Sequence, residues 1–293
     1  VPLGILLSGG VDSSLVTAFA VKHKPDIKTF TVTFPQFQKY NEAKYAKIVS
    51  DHYSTNHIEI ESEKVDPEII LPMLAKQFDE PLIDSSMVPT FLVCQEVSKY
   101  CKVVLGGDGG DELFGGYNHY QKLILSDLIK KVSPQFFWKF ISKFHKFLPI
   151  GLKGRVWVES LKYDLKKDLP IIASYFNDFD RKKLFNKEFF DYDDNQKFNK
   201  IYKSDDLATR SMWTDFLNYL PEDILVKTDR TSMLNSLELR APFLDNEIIE
   251  FSEKLDNNLK FDSINKKIIL KALSKKILPK KLDISRKQGF AIP

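Results

Sequence analysis

The run Leu3 to Ser14, LGILLSGGVDSS, constrains this chain more than any other stretch. Leu3 to Leu7 reads as a short buried strand, and an amphipathic helix pattern starts directly after the serines. Between them lie Ser8, Gly9, Gly10, Val11, Asp12, Ser13 and Ser14. A strand that feeds a Gly-Ser turn and then a helix builds a place for an anion. The first N–H groups of the helix have no internal partner, and the helix dipole adds positive potential there. The glycines, without a Cβ, let the backbone turn tightly and approach a guest. The serines add hydroxyl donors, and Asp12 is suited to holding a magnesium ion against phosphates. The bland alternative is a serine-rich helix cap.

The loop lacks the Gly-Lys-[Ser/Thr] ending of a Walker P-loop and the Gly-x-Gly-x-x-Gly spacing of a dinucleotide fold. It resembles the pyrophosphate loop of ATP pyrophosphatases, which implies cleavage of ATP between its α and β phosphates.

From residue 1 to 115 strand and helix signals alternate. Thr29–Phe34, His57–Ile60 and Val103–Leu105 read as further strands. Leu15–Lys22, a helix capped by Asn41 and running to Asp51, Pro67–Phe78 and Pro89–Tyr100 read as the helices between them. The fold class expected is α/β, a doubly wound parallel sheet of about five strands, adenine nucleotide α-hydrolase-like, with a mostly helical C-terminal extension. Ligands in such sheets bind at the carboxyl ends of the strands. A length of 293 residues suits one large or two modest domains. We divide it into a nucleotide-binding α/β core over 1–116, a helical insertion over 117–205, and a helical part over 206–293 that completes the site. In the insertion, Phe136, Phe137, Phe140, Phe144 and Phe147 fall near helical spacing with Lys139, Lys143 and Lys146 between them. The stripe is read as core packing with a solvated lysine face, ahead of a contact with RNA or a membrane. From Asp206 onward the signals are helical, ending in a lysine-rich amphipathic helix, Ile264–Lys276.

Composition narrows the classes. A net charge of +3 from 43 basic and 40 acidic residues gives no support to a dedicated nucleic-acid surface. No apolar run approaches the ~20 residues that span a bilayer. The two cysteines, Cys94 and Cys101, lack metal-type spacing and a disulfide framework, so they read as buried apolar residues of a cytoplasmic protein. His52 and His57 share no helix face, and no metal site is expected of them. The start at Val1, already entering a strand, and the stop at Pro293 are read as the ends of a piece cut from a longer protein at a domain boundary.

A second cluster, Gly106 to Tyr117 (GGDGGDELFGGY), ends the strand Val103–Leu105 with four glycines and three carboxylates between Gly106 and Glu112. Carboxylates beside a phosphate cradle make sense with a divalent cation between them, so Asp111 is a candidate second magnesium ligand opposite Asp12. A third block runs from Leu220 to Asp245 and interleaves charged with apolar residues. Buried charges must be paired, so Asp229, Arg230, Glu238 and Arg240 are read as a structural salt-bridge network at least as readily as catalytic groups.

These three blocks in this order, with the closing RKQGFAIP, resemble the synthetase domain of glutamine-dependent asparagine synthetases over essentially the whole chain. β-Lactam synthetases and some natural-product amide ligases share that domain. The resemblance implies an ATP-dependent ligase: the β-carboxylate of aspartate attacks the α-phosphate, pyrophosphate leaves, and ammonia displaces AMP from the aspartyl adenylate to give asparagine. It implies ATP and Mg2+ as cofactors, with Leu7, Ser8, Gly9, Gly10, Asp12, Ser13, Ser14, Val32, Gly106, Gly107 and Asp111 around the nucleotide. It places Asp12 and Asp111 on the metal, Asp108 as the group that assists deprotonation of ammonia, and Lys267 on the α-phosphate. Lys267 owes that role to the resemblance alone.

The family's N-terminal glutaminase domain, with its first-residue cysteine nucleophile, has no counterpart in this sequence. The chain is therefore expected to use free ammonia, or to have had its glutaminase half removed. A homodimer of the full-length protein is left open, and neither nucleic acid nor membrane is an expected partner. The alternatives are a ligase for another carboxylate, such as a β-lactam synthetase-like or polysaccharide-pathway amidotransferase, a tRNA-modifying enzyme of the pyrophosphate-loop group, and a non-catalytic nucleotide-sensing or assembly module.

Overall fold

A computed structural model of the chain describes residues 1–33, 41–61, 67–82, 84–149, 152–165 and 202–286. Phe34, residues 166–201 of the expected insertion and residues 287–293 of the closing motif lie outside the described residues. A five-stranded, all-parallel sheet forms the centre, in the order β3-β2-β1-β4-β5. Its strands are β1 (Leu3–Leu6), β2 (Lys28–Thr33), β3 (Asn56–Glu61), β4 (Val103–Leu105) and β5 (Glu238–Arg240). Helices α1 (Val11–His23), α2 (Ala43–Tyr53), α3 (Pro67–Gln77) and α4 (Met87–Val97) fill the crossovers among the first four.

Alternation along the strands separates two cores. Ile5 and Leu7 join Val11, Leu15, Ala18, Ala46 and Val49 on the α1–α2 face. Phe30, Val104 and Leu237 join Val93, Cys94, Val97 and Cys101 on the α4 face. The sheet is thus covered on both sides, as a parallel sheet must be. Both cysteines are buried and free, and burial pushes the Cys94 thiol up to about 12. They are packing residues. The N-cap of α2 is Glu42 and not the expected Asn41, which lies one residue earlier and accepts from the Ala43 N–H through its Oδ1 at 3.0 Å.

After β4 come α5 (Gly110–Phe114), α6 (Asn118–Lys130), α7 (Gln135–Ser142) and α8 (Arg155–Ser160). The final part holds α9 (Leu207–Leu217), a π-helical turn (Leu220–Leu225), α10 (Val226–Met233), α11 (Asn246–Lys254) and α12 (Ile268–Ile277). β5, the fifth strand, lies within the end expected to be mostly helical. It has three residues and pairs Val103 with Glu238, Val104 with Leu239 and Leu105 with Arg240. So short a strand has no readable alternation of its own; its partner dictates it.

The aromatic stripe departs from expectation. Phe136, Phe140 and Phe147 are 74, 60 and 83% exposed. Ser142 and His145 are the residues this segment buries instead, while Phe140, Phe144 and Phe147 pack ring to ring on the surface. Periodicity finds an apolar face without saying what covers it. Among the described residues no helix is long and apolar enough to cross a membrane.

Candidate active site

In a sheet of this order the strand sequence reverses between β1 and β4, and the crevice beyond their carboxyl ends is the place for a ligand. A cavity of about 450 Å3 opens there. Its lining draws on the loop after β1 (Leu7, Ser8, Gly10, Asp12, Ser13), on Val32 of β2, and on Gly106, Gly107, Asp108 and Asp111 after β4. Lys267 completes the expected set. Two candidates are placed differently. Ser14 is wholly buried beneath the loop, and Gly9 packs against Tyr45 and Ala46 of α2. Within the loop the Ser8 and Ser13 hydroxyls share a hydrogen bond of 3.0 Å. The Gly10 carbonyl accepts from the Ser14 N–H, closing the first turn of α1.

At the centre Lys267 bridges two carboxylates. Its ammonium donates to Asp12 Oδ2 and lies 2.6 Å from Asp111 Oδ1. Burial alone would lower this lysine, but Asp12 and Asp111 outweigh it and hold the ammonium above the ordinary lysine range. Rather than sitting inside the expected helix, Lys267 stands just before α12 with φ +52°, a left-handed backbone that is costly for a side-chain-bearing residue. Glycines make room for the cluster. A Cβ on Gly110 would lie 2.8 Å from Asp12 Cγ, and one on Gly116 would lie 1.7 Å from Asp111 Oδ1 and 2.5 Å from Lys267 Cε. The second glycine cluster therefore serves the carboxylates as much as any nucleotide.

Behind the cluster lie acids that burial shifts upward. Asp108 is pushed up to about 6 by burial, with Asp12 and Asp111 adding to the rise and Lys227 opposing it. Glu112 is pushed up to about 7 by burial, against the hydrogen bond it accepts from the Tyr117 hydroxyl. At the rim, burial pushes Glu42 up to about 7 although the Arg286 guanidinium pulls the other way. Arg286 donates to Glu42 Oε1 and lies over the Tyr45 ring, 4.0 Å from its centroid.

Two carboxylates bracketing a single cation form the donor set that Mg2+ accepts when phosphate oxygens complete its shell. Asp12 and Asp111 are therefore the residues that would hold it. Among the described residues no group of three or more His, Cys, Asp and Glu is placed to make an all-protein metal site.

A family described as "Asparagine synthase" matches the chain over residues 1–293. The chain belongs to the asparagine synthase family. It is 31% identical over 303 residues to "Asparagine synthetase [glutamine-hydrolyzing] 1" of Bacillus subtilis (strain 168), covering 100% of this chain and 46% of that protein. It is likewise 31% identical over 296 residues to "Putative asparagine synthetase [glutamine-hydrolyzing]" of Mycobacterium tuberculosis (strain ATCC 25618 / H37Rv), covering 100% of this chain and 45% of that one. "Putative asparagine synthetase [glutamine-hydrolyzing] 2" of Methanocaldococcus jannaschii is 31% identical over 248 residues, 83% of this chain. The chain spans about half the length of these curated relatives.

The third sequence block forms structural ion pairs, as one of its two readings had it, but at the surface instead of in a buried network. Arg230 pairs with Asp79 and Arg240 with Glu238, and all four side chains are exposed by 39% or more. Asp229 is exposed too. The charged residue of that block that reaches the cavity is Lys227, buried and bonded at 2.7 Å to Asp84. Neither member of this pair stands out in sequence. A lysine among charged neighbours and an aspartate in PLIDSS are ordinary, and 143 residues separate them.

Proposed function

We propose that this chain is the amide-forming synthetase half of an asparagine synthetase. It activates the β-carboxylate of aspartate on ATP and passes the acyl group to ammonia. The observation that carries this is the buried Lys267–Asp12–Asp111 cluster, set against an anion-binding loop in one cavity.

In the first step a β-carboxylate oxygen bonds to the α-phosphorus. The bond to the bridging oxygen of pyrophosphate breaks, and its electron pair leaves with pyrophosphate. The start of α1 and the hydroxyls of Ser8 and Ser13 face the departing anion. Lys267 supplies a fixed ammonium for charge developing on the α-phosphoryl oxygens, and preorganised charge of this kind is the usual source of such catalysis. Magnesium held by Asp12 and Asp111 would neutralise the polyphosphate and bind it in one pose.

In the second step the ammonia nitrogen bonds to the acyl carbon, the C–O bond to AMP breaks, and one proton is shed. Asp108, which titrates near 6, is ionised at neutral pH and able to accept that proton.

The test is exchange of labelled pyrophosphate into ATP by the purified protein with Mg2+ and aspartate, followed by ammonia-dependent formation of asparagine and AMP. Aspartate-dependent exchange is the expected result. Its absence with aspartate alongside exchange with another carboxylate would move the protein to a different ligase of the same family. No exchange with any carboxylate would overturn the adenylating reading.

A further inference from the structure

Asp84 and Lys227 form a second ion pair in the cavity, separate from the Lys267 cluster. Asp84 lies just before α4 and Lys227 in the first turn of α10, which packs on α4. Their side chains are 19 and 10% exposed, both line the cavity, and Lys227 Nζ donates to Asp84 Oδ2 at 2.7 Å. Asp84 Oδ1 accepts from the Ser86 N–H at 2.8 Å. Burial pushes the Asp84 carboxyl up, but Lys227 and Ser86 more than offset this and keep it ionised below the usual carboxylate range. Asp108, which lines the same cavity, feels the opposing charges of Lys227 and of Asp12 and Asp111.

A buried pair of this kind gives the fold little net stability, because desolvating two charges costs about as much as their attraction returns. Its value lies in unused capacity. An ammonium has three donors and a carboxylate about four acceptor sites, more than their mutual bond and the backbone and side-chain bonds from Ser86 consume. Opposite charges fixed side by side in a cavity complement a ligand that carries both an ammonium and a carboxylate. The head group of an α-amino acid is that ligand. The lining around the pair adds small polar groups, Ser86, Thr90 and Thr228, with Tyr219 and Tyr117 as aromatic walls. Their rings meet edge to face at 5.8 Å.

We infer that the Asp84–Lys227 pair is the amino-acid recognition element of this site. The Asp84 carboxylate takes the α-ammonium and the Lys227 ammonium takes the α-carboxylate, leaving the substrate's side-chain carboxylate for the phosphate end of the cavity. The inference rests on the adenylating reading and names the residues that would distinguish its amino-acid substrate from a plain dicarboxylate and from an amine-bearing monocarboxylate.

The experiment compares three acceptors in pyrophosphate exchange at saturating ATP and Mg2+: aspartate, succinate (no ammonium) and 3-aminopropanoate (no α-carboxylate). For the unaltered protein kcat/KM should favour aspartate over each analogue by at least about 100-fold, the penalty for stranding one buried charge. Asp84→Asn should raise the KM for aspartate at least about tenfold, leave the KM for ATP within about twofold, and collapse the preference over succinate. Lys227→Met should do the same against 3-aminopropanoate, and Lys227→Arg should restore part of the affinity.

Equal use of succinate or 3-aminopropanoate by the unaltered protein overturns the inference while leaving adenylation intact, and needs no variant to fold. So does a variant whose KM for ATP rises as much as that for aspartate. Exchange with no carboxylate at all overturns both readings together.

Discussion

Replacing Lys267 by methionine keeps most of the side chain's length and removes its ammonium with the charge. Lys267 is 9% exposed, and its partners Asp12 and Asp111 are 20 and 25% exposed. The substitution leaves two carboxylates facing each other across the space of one ammonium. Breaking a buried pair by removing one partner costs about 3–5 kcal/mol, whereas exposed pairs are worth about 0–1. Partial solvation of the aspartates puts this site at the lower end of the buried range, about 3 kcal/mol. For 293 residues the unfolding entropy is about 0.6 kcal/mol/K, so the midpoint should fall by about 5 °C. The assay is urea unfolding at neutral pH in EDTA, with thermal unfolding alongside. If the cost is uncompensated charge, Lys267→Met combined with Asp12→Asn and Asp111→Asn should recover to within about 1 kcal/mol of the unaltered protein. Millimolar Mg2+ should also restore part of the loss in the single variant. A single variant that loses less than about 1 kcal/mol would refute the reasoning. So would a triple variant as unstable as the single one, because lost packing would then be the cause.

Two further outcomes follow from the same site. Asp108 titrates near 6 folded against a reference of 3.8, so the folded chain holds a proton that the unfolded chain releases between those values. Stability from this group is therefore lost as pH rises from about 4 to 6, by up to about 3 kcal/mol. Unfolding free energy measured against Asp108→Asn should fall by that amount over the window, and a rise would contradict it. Gly116→Ala would place a Cβ 1.7 Å from Asp111 Oδ1. We expect exchange activity to drop at least about 100-fold with a stability loss of about 1–3 kcal/mol from overpacking; activity within twofold of normal would show that the cluster tolerates displacement.

The sheet was largely legible in the sequence because each of its first four strands is signalled locally. Val103–Leu105 was read with its observed bounds, and Leu3–Leu7 and His57–Ile60 differ from β1 and β3 by a residue or two. The turn between β1 and α1 is as plain, since strand, glycine turn and helix are contiguous. The aromatic stripe misled for a complementary reason: helical spacing shows that a face exists, and burial depends on what arrives to cover it. Charge interleaving gave the pairing of Arg230 and Arg240 but not its depth: the residues were read as buried and therefore paired, and they pair at the surface.

The sequence by itself determined the parallel α/β core, the Gly-Ser loop after β1 and the glycine-flanked acids after β4, each of them signalled by a short local run of residues. The tertiary structure decided what those acids face. Lys267 is 255 residues from Asp12 in the chain and stands in a left-handed turn that no helical pattern reveals. Lys227 is 143 residues from Asp84, and β5 exists because β4 offers it an open edge. Periodicity and turn chemistry act over a few residues, whereas ion pairs across a cavity are chosen when the whole chain has closed, by burial that forbids a charge without a partner.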